Sequence, residues 1–481
     1  MKSEHSGLSP LPGVRPRLDP HFVPAALAWR VFQQRARETG HPVRVRFAVE
    51  QSGGAVSQFT AELMPANEPD AAANFRMLER LIKLALWARG GYRIHLDAPA
   101  ELVQRLRAHY LSTPTGRFDS EIVGRSVYDH PIEVVATRDL PPERSKTSGT
   151  ALGGHLDGCR IGFDLGGSDR KVAAINDGDV VWSEEIEWDP YYQTDPRYHW
   201  EGIMDSLRSA AAHLPHVDAI GGSAAGVYVE NQVRFASLFR GVAPDVFERR
   251  VRNIFRELKR AWNDVPFDVA NDGDVTALLG SMSMHEGGVL GIALGTSTAG
   301  GYVTAAGHIT PWLNEIAFVP LDYQPDAPRD EWSGDIGCCV QYLSQQAVGR
   351  LLQPAGIDLP PGLPLPAKLR AVQALMKAAD PRALAIYQTV GAYLGYALAH
   401  LASVYDFRHV LVLGRVTSGQ GGDVLLDTAR QVLRADFPEL ASRTDLRMPG
   451  EKEKRHGQAI AAASLPDRQE REIVPPPGGS A

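Results

Sequence analysis

The segment 162-GFDLGGSDRKVAAI-175 carries two adjacent glycines between apolar stretches, and its context decides among several possible folds. Apolar residues on both sides predict two short strands, and the pair Gly166-Gly167 lies at the turn between them. A dinucleotide fingerprint or a Walker A loop would open a helix and would carry its glycines at other spacings. Because a return strand follows instead, neither motif fits, while a phosphate-binding turn and a plain hairpin turn both remain open.

Two later segments have the same predicted arrangement, in which a strand ends at a glycine-containing turn. The segment 289-VLGIALGTSTAGGYVTAAGHI-309 predicts two strands joined at 295-GTST-298, where hydroxyls and backbone N–H groups can form an anion nest. The segment 411-LVLGRVTSGQGGDVLL-426 predicts a strand, a glycine-rich turn and a helix start, which suit a flat ligand and an anion. Taken singly, each is equally compatible with an ordinary hairpin or strand–helix loop.

The tetrapeptide Asn-Asp-Gly-Asp occurs twice, in different contexts. At 176–179 it separates two predicted strands and is typical of a hairpin turn. At 271–274 it follows a short strand and begins a predicted helix, which would hold Asp272 firmly at a strand end. Phosphoryl transfer to an alcohol needs a carboxylate that accepts the hydroxyl proton. Asp272 is therefore the candidate general base.

Length and composition exclude several classes of protein. The chain has 481 residues, which is enough for two or three domains, and its net charge of -7 gives no reason to expect a nucleic-acid or membrane surface. Its three cysteines cannot form a disulfide framework, and no run approaches the roughly 18 apolar residues of a membrane helix. We expect a cytoplasmic, mixed α/β protein.

Shifts in composition predict the domain boundaries. Pro- and Gly-rich segments punctuate a chain that otherwise alternates strand and helix patterns. The predicted parts are a flexible tail (1–20), an N-terminal α+β module (21–145), a linker (146–158), two further lobes (159–288 and 289–466) and a disordered tail (467–481).

The order DLGGS, NDGD, LGTSTAGG and GRVTSGQGGD resembles the actin-like, hexokinase-type phosphotransferases, and most of all the ROK sugar kinases. The resemblance covers roughly residues 159–465. It implies an α/β, two-lobed, actin-like (ribonuclease H-like) ATPase fold, to which this chain adds its N-terminal module. It also implies ATP-dependent phosphorylation of a hydroxyl on a sugar or sugar-like small molecule, with ATP and Mg²⁺ as cofactors.

The resemblance assigns roles to single residues. Asp272 would be the base, Asn271 and Glu315 would hold the substrate, and Asp164 would contact Mg²⁺ through water. Lys171 would contact a phosphate, with Arg170 as its competitor. The residues expected to bind the nucleotide are Asp164, Gly166, Gly167, Ser168, Lys171, Gly295, Thr296, Ser297, Gly414, Gly419, Gly421 and Gly422.

The chain departs from the family pattern in the substrate and zinc region. The family pattern E-x-G-H, then C-x-C-G-x-x-G-C-x-E, is matched here by 315-EIAF-318 and 331-EWSGDIGCCVQYLS-344. Phe318 replaces the histidine, Val340 replaces the last glutamate, and Cys338 is the cysteine retained. A structural zinc site needs four ligands, so we expect none. Phe318 and Val340 would make the substrate pocket more apolar than the pocket of the family. Such a pocket favours a modified sugar, an amino sugar, a polyol or another hydroxylated metabolite over plain glucose or N-acetylmannosamine.

Two other functions stay open: a sensor or regulator with reduced turnover, and a kinase of a non-sugar hydroxylated metabolite. Regulators of this family carry an N-terminal winged helix-turn-helix, whereas residues 1–150 show no obvious recognition helix. The expected partner is thus a small-molecule substrate, with no nucleic acid and no membrane, and a homodimer is compatible with these expectations.

Overall fold

The computed structural model describes residues 11–144, 153–167, 169–450 and 457–468. Its strands are β1 Val43–Glu50, β2 Val56–Leu63, β3 Arg93–Asp97, β4 Glu133–Ala136, β5 Cys159–Leu165, β6 Asp169–Asn176, β7 Asp179–Glu187, β8 Ala219–Ala224, β9 Val227–Val229, β10 Gln232–Phe235, β11 Phe267–Asn271, β12 Val289–Leu294, β13 Thr298–Val303, β14 His409–Leu413 and β15 Asp445–Arg447.

Its α-helices are α1 Ala25–Glu38, α2 Asn74–Arg89, α3 Ala100–Ser112, α4 Pro114–Asp119, α5 Arg197–Ala211, α6 Pro244–Val246, α7 Ile254–Ala261, α8 Asp272–Met284, α9 Gln345–Leu351, α10 Leu365–Lys377, α11 Pro381–Leu401, α12 Gln420–Asp436, α13 Pro438–Arg443 and α14 Gln458–Ala463. None of the helices in the described part of the chain is long and apolar enough to cross a membrane.

The chain divides into two compact units. The first unit contains the described residues of Met1–Thr147, Gly287–Ala306 and Thr310–Pro449. The second unit contains those of Ser148–Glu286, Gly307–Ile309 and Gly450–Ala481. The N-terminal module therefore shares one unit with most of the segment that the sequence assigns to the second lobe.

The second unit is built on a five-stranded sheet with the order β11-β8-β5-β6-β7. β11, β8 and β5 are parallel, whereas β6 and β7 are antiparallel additions. One face of β5 carries Ile161, Phe163 and Leu165 into a core that also contains Phe255 of α7 and Leu207 of α5. The predicted three-stranded meander that starts at Cys159 is confirmed, with the turn at 176–179 between β6 and β7.

The opposite face of this sheet is covered by α14. A Cβ atom on Gly162 would overlap the backbone oxygen of Ala459, and one on Gly221 would overlap that of Ala462. The two glycines thus let the helix backbone lie directly on β5 and β8. Close packing of this kind explains why α14 clusters with the second unit, although the sequence places residues up to 466 in the other lobe.

The first unit contains two four-stranded sheets, with the orders β2-β1-β3-β4 and β13-β12-β14-β15. Apolar and polar residues alternate in 43-VRVRFAVEQ-51 and in 57-SQFTAELMP-65, which predicts a hairpin. The antiparallel register of Val43 with Leu63 confirms it. The helix α1 was not predicted from the sequence, because its buried side consists of three alanines with Leu27 and Phe32 and so gives a weak apolar pattern. α11 and α12 pack on each other beside the second sheet.

Residues 11–20, expected within a loose tail, make specific contacts inside the first unit. The N–H of Gly13 donates to Asp436 at 2.9 Å, and the carboxylate of Asp19 accepts hydrogen bonds from Tyr393 at 2.5 Å and Arg350 at 3.0 Å. Most of the predicted linker, and all but two residues of the predicted C-terminal tail, lie outside the described residues.

Candidate active site

Three parallel strands of the second unit end at the same edge of the sheet. β5 ends at Leu165, β8 at Ala224 and β11 at Asn271, and the register pairs Asp164 with Ser223. Open α/β sheets bind their ligands outside the carboxyl ends of the strands. This edge brings together Asp164, Asn271 and Asp272 of the predicted site.

Asp164 is half-buried and hydrogen-bonded at this edge. The Ser223 hydroxyl donates to its Oδ1 at 2.7 Å. Loss of water raises the pKa of the Asp164 carboxyl, and the nearby Lys171 ammonium and the Ser223 hydroxyl oppose that rise. A desolvated carboxylate is an oxygen donor of the kind that Mg²⁺ selects, so this residue fits a magnesium site.

The structure distinguishes Lys171 from Arg170. Lys171 pairs directly with Asp164 across β5 and β6, which puts both side chains on one face of the sheet. Desolvation alone would lower the pKa of Lys171, but the carboxylates of Asp164 and Asp169 outweigh it and raise the pKa. Arg170 lies on the other face, where its guanidinium bonds to the Gly202 carbonyl and, at 3.0 Å, to Asp205.

The first glycine turn is braced by two aromatic residues. Trp188 Nε1 donates to the carbonyl of Gly166 at 2.8 Å, while the Gly166 N–H donates to the Asp169 carbonyl at 2.9 Å. A side chain at position 167 would overlap the Tyr191 hydroxyl. A larger residue at 167 would have to displace the Tyr191 side chain, and Ser168 lies outside the described residues.

Asp272 is the first residue of α8 and is half-buried. Loss of water raises the pKa of its carboxyl to about 6, and the negative charge of Asp164 adds to the rise. The Gly273 N–H donates to Asp272 Oδ1 at 3.0 Å and partly offsets these effects. A carboxylate with a pKa near 6 is a stronger proton acceptor than an ordinary aspartate and is still ionised at neutral pH.

Asn271 is engaged in the local structure. Its side-chain Oδ1 caps α8 by accepting from the Gly273 N–H at 2.7 Å, and its Nδ2 donates to the Gly226 carbonyl at 2.6 Å. Each amide nitrogen has two hydrogens, so one Nδ2 hydrogen is not used by the Gly226 bond. Asn271 was expected to be a substrate-binding amide, and the structure adds a helix-capping role.

Sequence reasoning missed two residues at this edge, Ser223 and Gln458. Gln458 Nε2 donates to the backbone oxygen of Asp272 at 2.9 Å and lies 3.3 Å from Ser223 Oγ. Ser223 in turn holds Asp164, so a chain of polar contacts connects the two acids. Ser223 stands in the glycine-containing segment 219-AIGGSAAG-226, but no local pattern points to Gln458, which comes from α14, far along the chain.

In the first unit, the second glycine turn and the late glycine loop lie at one edge of a sheet. Gly295 to Ser297 join β12 to β13, and Thr296 and Ser297 are exposed. Gly414 follows β14, the parallel neighbour of β12, with a φ of +108°. A side chain on Gly414 would also overlap the backbone oxygen of Leu294, so this close approach and the φ both require glycine.

The late glycine loop leads into the 17-residue helix α12. Gly419 is its N-cap, with a φ of +76°, and has open space where a side chain would be. A side chain on Gly421 would overlap the ring of Tyr387, and one on Gly422 would overlap the Thr417 carbonyl. Backbone at a long helix N-terminus, kept bare by glycine, suits a phosphate or a nucleoside close by.

The segment that carries Glu315 is held by α2 of the N-terminal module. The N–H groups of Asn314 and Glu315 donate to the carbonyls of Ala88 and Trp87, each at 3.0 Å. Phe318 is buried, and its ring centroid is 4.3 Å from that of Trp87. The N-terminal module therefore forms part of the region that the sequence assigns to substrate binding.

The residues around Cys338 form a buried ion-pair cluster. Lys83 Nζ lies 2.7 Å from Asp335 and 3.0 Å from Asp119, and Arg80 lies 2.9 Å from Asp335. Burial by itself would raise the pKa of Asp335. The charges of Lys83 and Arg80 outweigh this effect and hold the pKa of Asp335 well below its usual range. Asp335 is thus paired with the Lys83 and Arg80 side chains inside the first unit.

Burial raises the pKa of the Cys338 thiol to about 12, so its thiolate form is suppressed at neutral pH. Among the described residues, the side chains that come close enough to share a metal ion are Cys159, His216 and Asp218, all in the second unit. The absence of zinc stays a prediction.

Comparison with known proteins agrees with the predicted resemblance. The chain is 26% identical over 322 residues to a glucokinase of Halalkalibacterium halodurans, a match that covers 60% of this chain and 89% of that protein. No family model matches the chain.

Two solved structures share the fold. A ROK family glucokinase from Streptomyces griseus, solved in complex with glucose and AMPPNP, has a TM-score of 0.51 and 20% identity, and the match covers 65% of this chain and 100% of that chain. A ROK family transcriptional regulator, a homologue of the E. coli MLC protein, also has a TM-score of 0.51, with 19% identity over 65% of this chain and 78% of that chain. The predicted α/β, actin-like fold class is confirmed, since the chain shares the fold of these ROK family structures.

Proposed function

We propose that this protein transfers the γ-phosphoryl group of ATP to a hydroxyl of a sugar or sugar-like small molecule. The observation that carries the proposal is the pair of desolvated acids, Asp164 and Asp272, at the carboxyl edge of the β5–β8–β11 sheet. Asp164 lies beside the Lys171 ammonium, whereas Asp272 has the negative charge of Asp164 near it. Such different charge partners suit the two acids to different tasks at one reaction centre.

Asp272 is the proposed base. The acceptor hydroxyl loses its proton to the Asp272 carboxylate as its oxygen forms a bond to the γ-phosphorus, and the bond from that phosphorus to the ADP oxygen breaks. Because the Asp272 pKa is raised to about 6, the proton transfer is more favourable than to an ordinary aspartate. The helix cap by Asn271 and the bond from Gln458 fix the position of this residue.

Asp164 is the proposed anchor for the magnesium ion that accompanies ATP. When bound, Mg²⁺ would neutralise part of the phosphate charge. The protein's own contribution is to hold the Asp164 carboxylate through Ser223 and to place Lys171 beside it. In the first unit, the turn Gly295–Ser297 and the loop from Gly414 to Gly422 are proposed to contact ATP through backbone N–H groups, hydroxyls and close glycine backbone.

Glu315 in the first unit is proposed to bind the acceptor. Asn271 in the second unit is separately proposed to do so, through the amide hydrogen that the Gly226 bond does not use. The sequence relative is named a glucokinase, which supports a sugar-like acceptor. Phe318 and Val340 offer no hydrogen bond to a hydroxyl, and an unpaired buried hydroxyl costs about 1–3 kcal/mol. The acceptor is therefore proposed to differ from free glucose near these residues.

The experiment is a measurement of acceptor-dependent ADP release with Mg·ATP across a panel of sugars, amino sugars, polyols and glycosides. Asp272→Asn should lower kcat on the best acceptor by about 10²- to 10⁴-fold, the usual worth of a general base. The matched control is Asp177→Asn, the same position of the other Asn-Asp-Gly-Asp sequence, which lies in the β6–β7 turn. Equal activity of Asp272→Asn and the parent would refute the assignment.

A sensor with reduced turnover is the second candidate. One solved structure of the same fold is a transcriptional regulator, and Phe318 and Val340 remove polar groups from the substrate region. If the protein binds nucleotide and acceptor in a thermal-shift assay but releases no ADP above the rate of Asp272→Asn, the sensor replaces the kinase as the preferred function.

A further inference from the structure

Trp332 is an exposed tryptophan at the end of an otherwise protected aromatic cluster. It is 51% exposed, whereas Trp87 and Phe318 are buried and Phe118 is half-buried. The Trp332 centroid lies 5.7 Å from Phe318 and 6.0 Å from Phe118, in edge-on arrangements. We call these four residues the aromatic wall. An indole that is held in place and still faces water is a ready apolar contact for a ligand.

The aromatic wall begins within one turn of Glu315. The short 3₁₀ helix Ile316–Phe318 follows Glu315 directly and ends on the wall residue Phe318. The Glu315 N–H bonds to the carbonyl of Trp87, another wall residue. The backbone of Glu315, the residue proposed to bind the acceptor, is thus directly linked to two residues of the wall.

Buried polar contacts hold the wall in place. Trp87 Nε1 donates to Asp119 at 3.0 Å, and the same carboxylate oxygen accepts from Lys83 at 3.0 Å. Lys83 also binds Asp335, three residues after Trp332. Because Lys83, Trp87 and Phe118 all come from the N-terminal module, this module supports the wall and contributes half of its rings. Rings fixed before binding lose little conformational entropy when a ligand arrives.

We propose that Trp332 and Phe118 form a subsite for an aromatic or similarly flat apolar group carried by the hydroxylated acceptor. This inference rests on the proposed function and narrows its substrate class. The acceptor would be a sugar or polyol conjugate whose hydroxylated part reaches Glu315 and whose flat substituent stacks on Trp332. A flat apolar substituent would bury apolar area against the aromatic wall, whereas a hydroxyl of a bare monosaccharide would bury almost none.

The test compares two glycosides that differ in one group, methyl β-D-glucopyranoside and phenyl β-D-glucopyranoside. Binding to the full-length protein is measured by isothermal titration calorimetry without nucleotide. The phenyl compound should bind about 3- to 10-fold more tightly, the usual range for one aromatic pair. Trp332→Ala should abolish the difference, and Trp332→Phe should keep most of it. The matched control is Tyr192→Ala, which removes an exposed aromatic of the second unit and should change nothing.

The inference is overturned if the two glycosides bind equally, if neither binds up to its solubility limit, or if folded Trp332→Ala retains the full preference. Circular dichroism and a melting curve establish that each variant is folded. Failure of the proposed function is a separate result: the phenyl glycoside would bind through Trp332, yet no compound of the panel would support ADP release.

Discussion

The side-chain amide of Gln458 lies 2.9 Å from the backbone oxygen of Asp272, so α14 holds the first residue of α8. The same amide lies 3.3 Å from Ser223 Oγ, whose hydroxyl donates to Asp164. A helix near the end of the chain thereby positions both acids of the proposed reaction centre.

Gln458→Met should therefore reduce turnover by about tenfold, because small displacements of a reacting group are costly. The Michaelis constant for ATP should change less than kcat, since Gln458 positions the base. Gln104→Met, at an exposed position of α3, is the control and should behave as the parent. An unchanged kcat in Gln458→Met would show that this contact has no positioning role.

Asp272→Asn should make the protein more stable while it removes activity. An acid whose folded pKa is raised binds its proton more tightly in the folded state, so its contribution is favourable below the unfolded pKa near 3.8 and is lost as pH rises through about 6. The neutral amide escapes this penalty, and the gain should be about 1–3 kcal/mol at pH 8 and smaller at pH 5. Urea unfolding at the two pH values measures it, and equal or lower stability at pH 8 would contradict it.

The pH profile of kcat/KM should fall on the acid side with an apparent pKa near 6. The carboxylate of Asp272 must be ionised to accept a proton, and its pKa is raised to about 6 by desolvation and by Asp164. Below that pH, the logarithm of the rate should decline by about one unit for each pH unit. A flat profile from pH 7 down to pH 5 would mean that another group, or no group, takes the proton.

Lys83→Met should lower the free energy of unfolding of the first unit. The substitution leaves the Asp119 and Asp335 carboxylates buried without the ammonium group between them. Removing one partner of a buried ion pair costs about 3–5 kcal/mol. Lys377→Met, at an exposed lysine, should change the free energy of unfolding by less than about 0.5 kcal/mol. If Lys83→Met matched this control, the cluster would contribute nothing to stability.

Zinc should be absent from the purified protein, and a chelator should leave its melting temperature unchanged. Burial raises the pKa of Cys338 to about 12, and a neutral thiol is a poor zinc ligand. Elemental analysis by mass spectrometry gives the metal content directly. Zinc bound in a 1:1 ratio, with a fall in melting temperature on chelation, would refute the prediction.

The sequence-based expectations that proved correct rest on patterns among neighbouring residues. The strand–glycine–strand pattern around Gly166 predicted the β5–β6 turn, and the order of the glycine turns pointed to the actin-like fold that the comparisons confirm. Alternation of apolar residues also predicted the β1–β2 hairpin. The helix α1 was not predicted because its buried side is rich in alanine, which lies on helix surfaces as readily as in cores.

Local chemistry is enough to make Asp272 and the glycine turns candidates, because a strand end, a helix start and a bare backbone are encoded by neighbouring residues. Their partners are not encoded in this way. Gln458 meets Asp272 across 186 residues of chain. Lys83, from a module of unassigned purpose, meets Asp335 through a buried ion pair. Such pairs are selected by how helices pack on sheets, so only the tertiary structure decided what supports the acids, what surrounds Glu315 and which tryptophan faces the solvent.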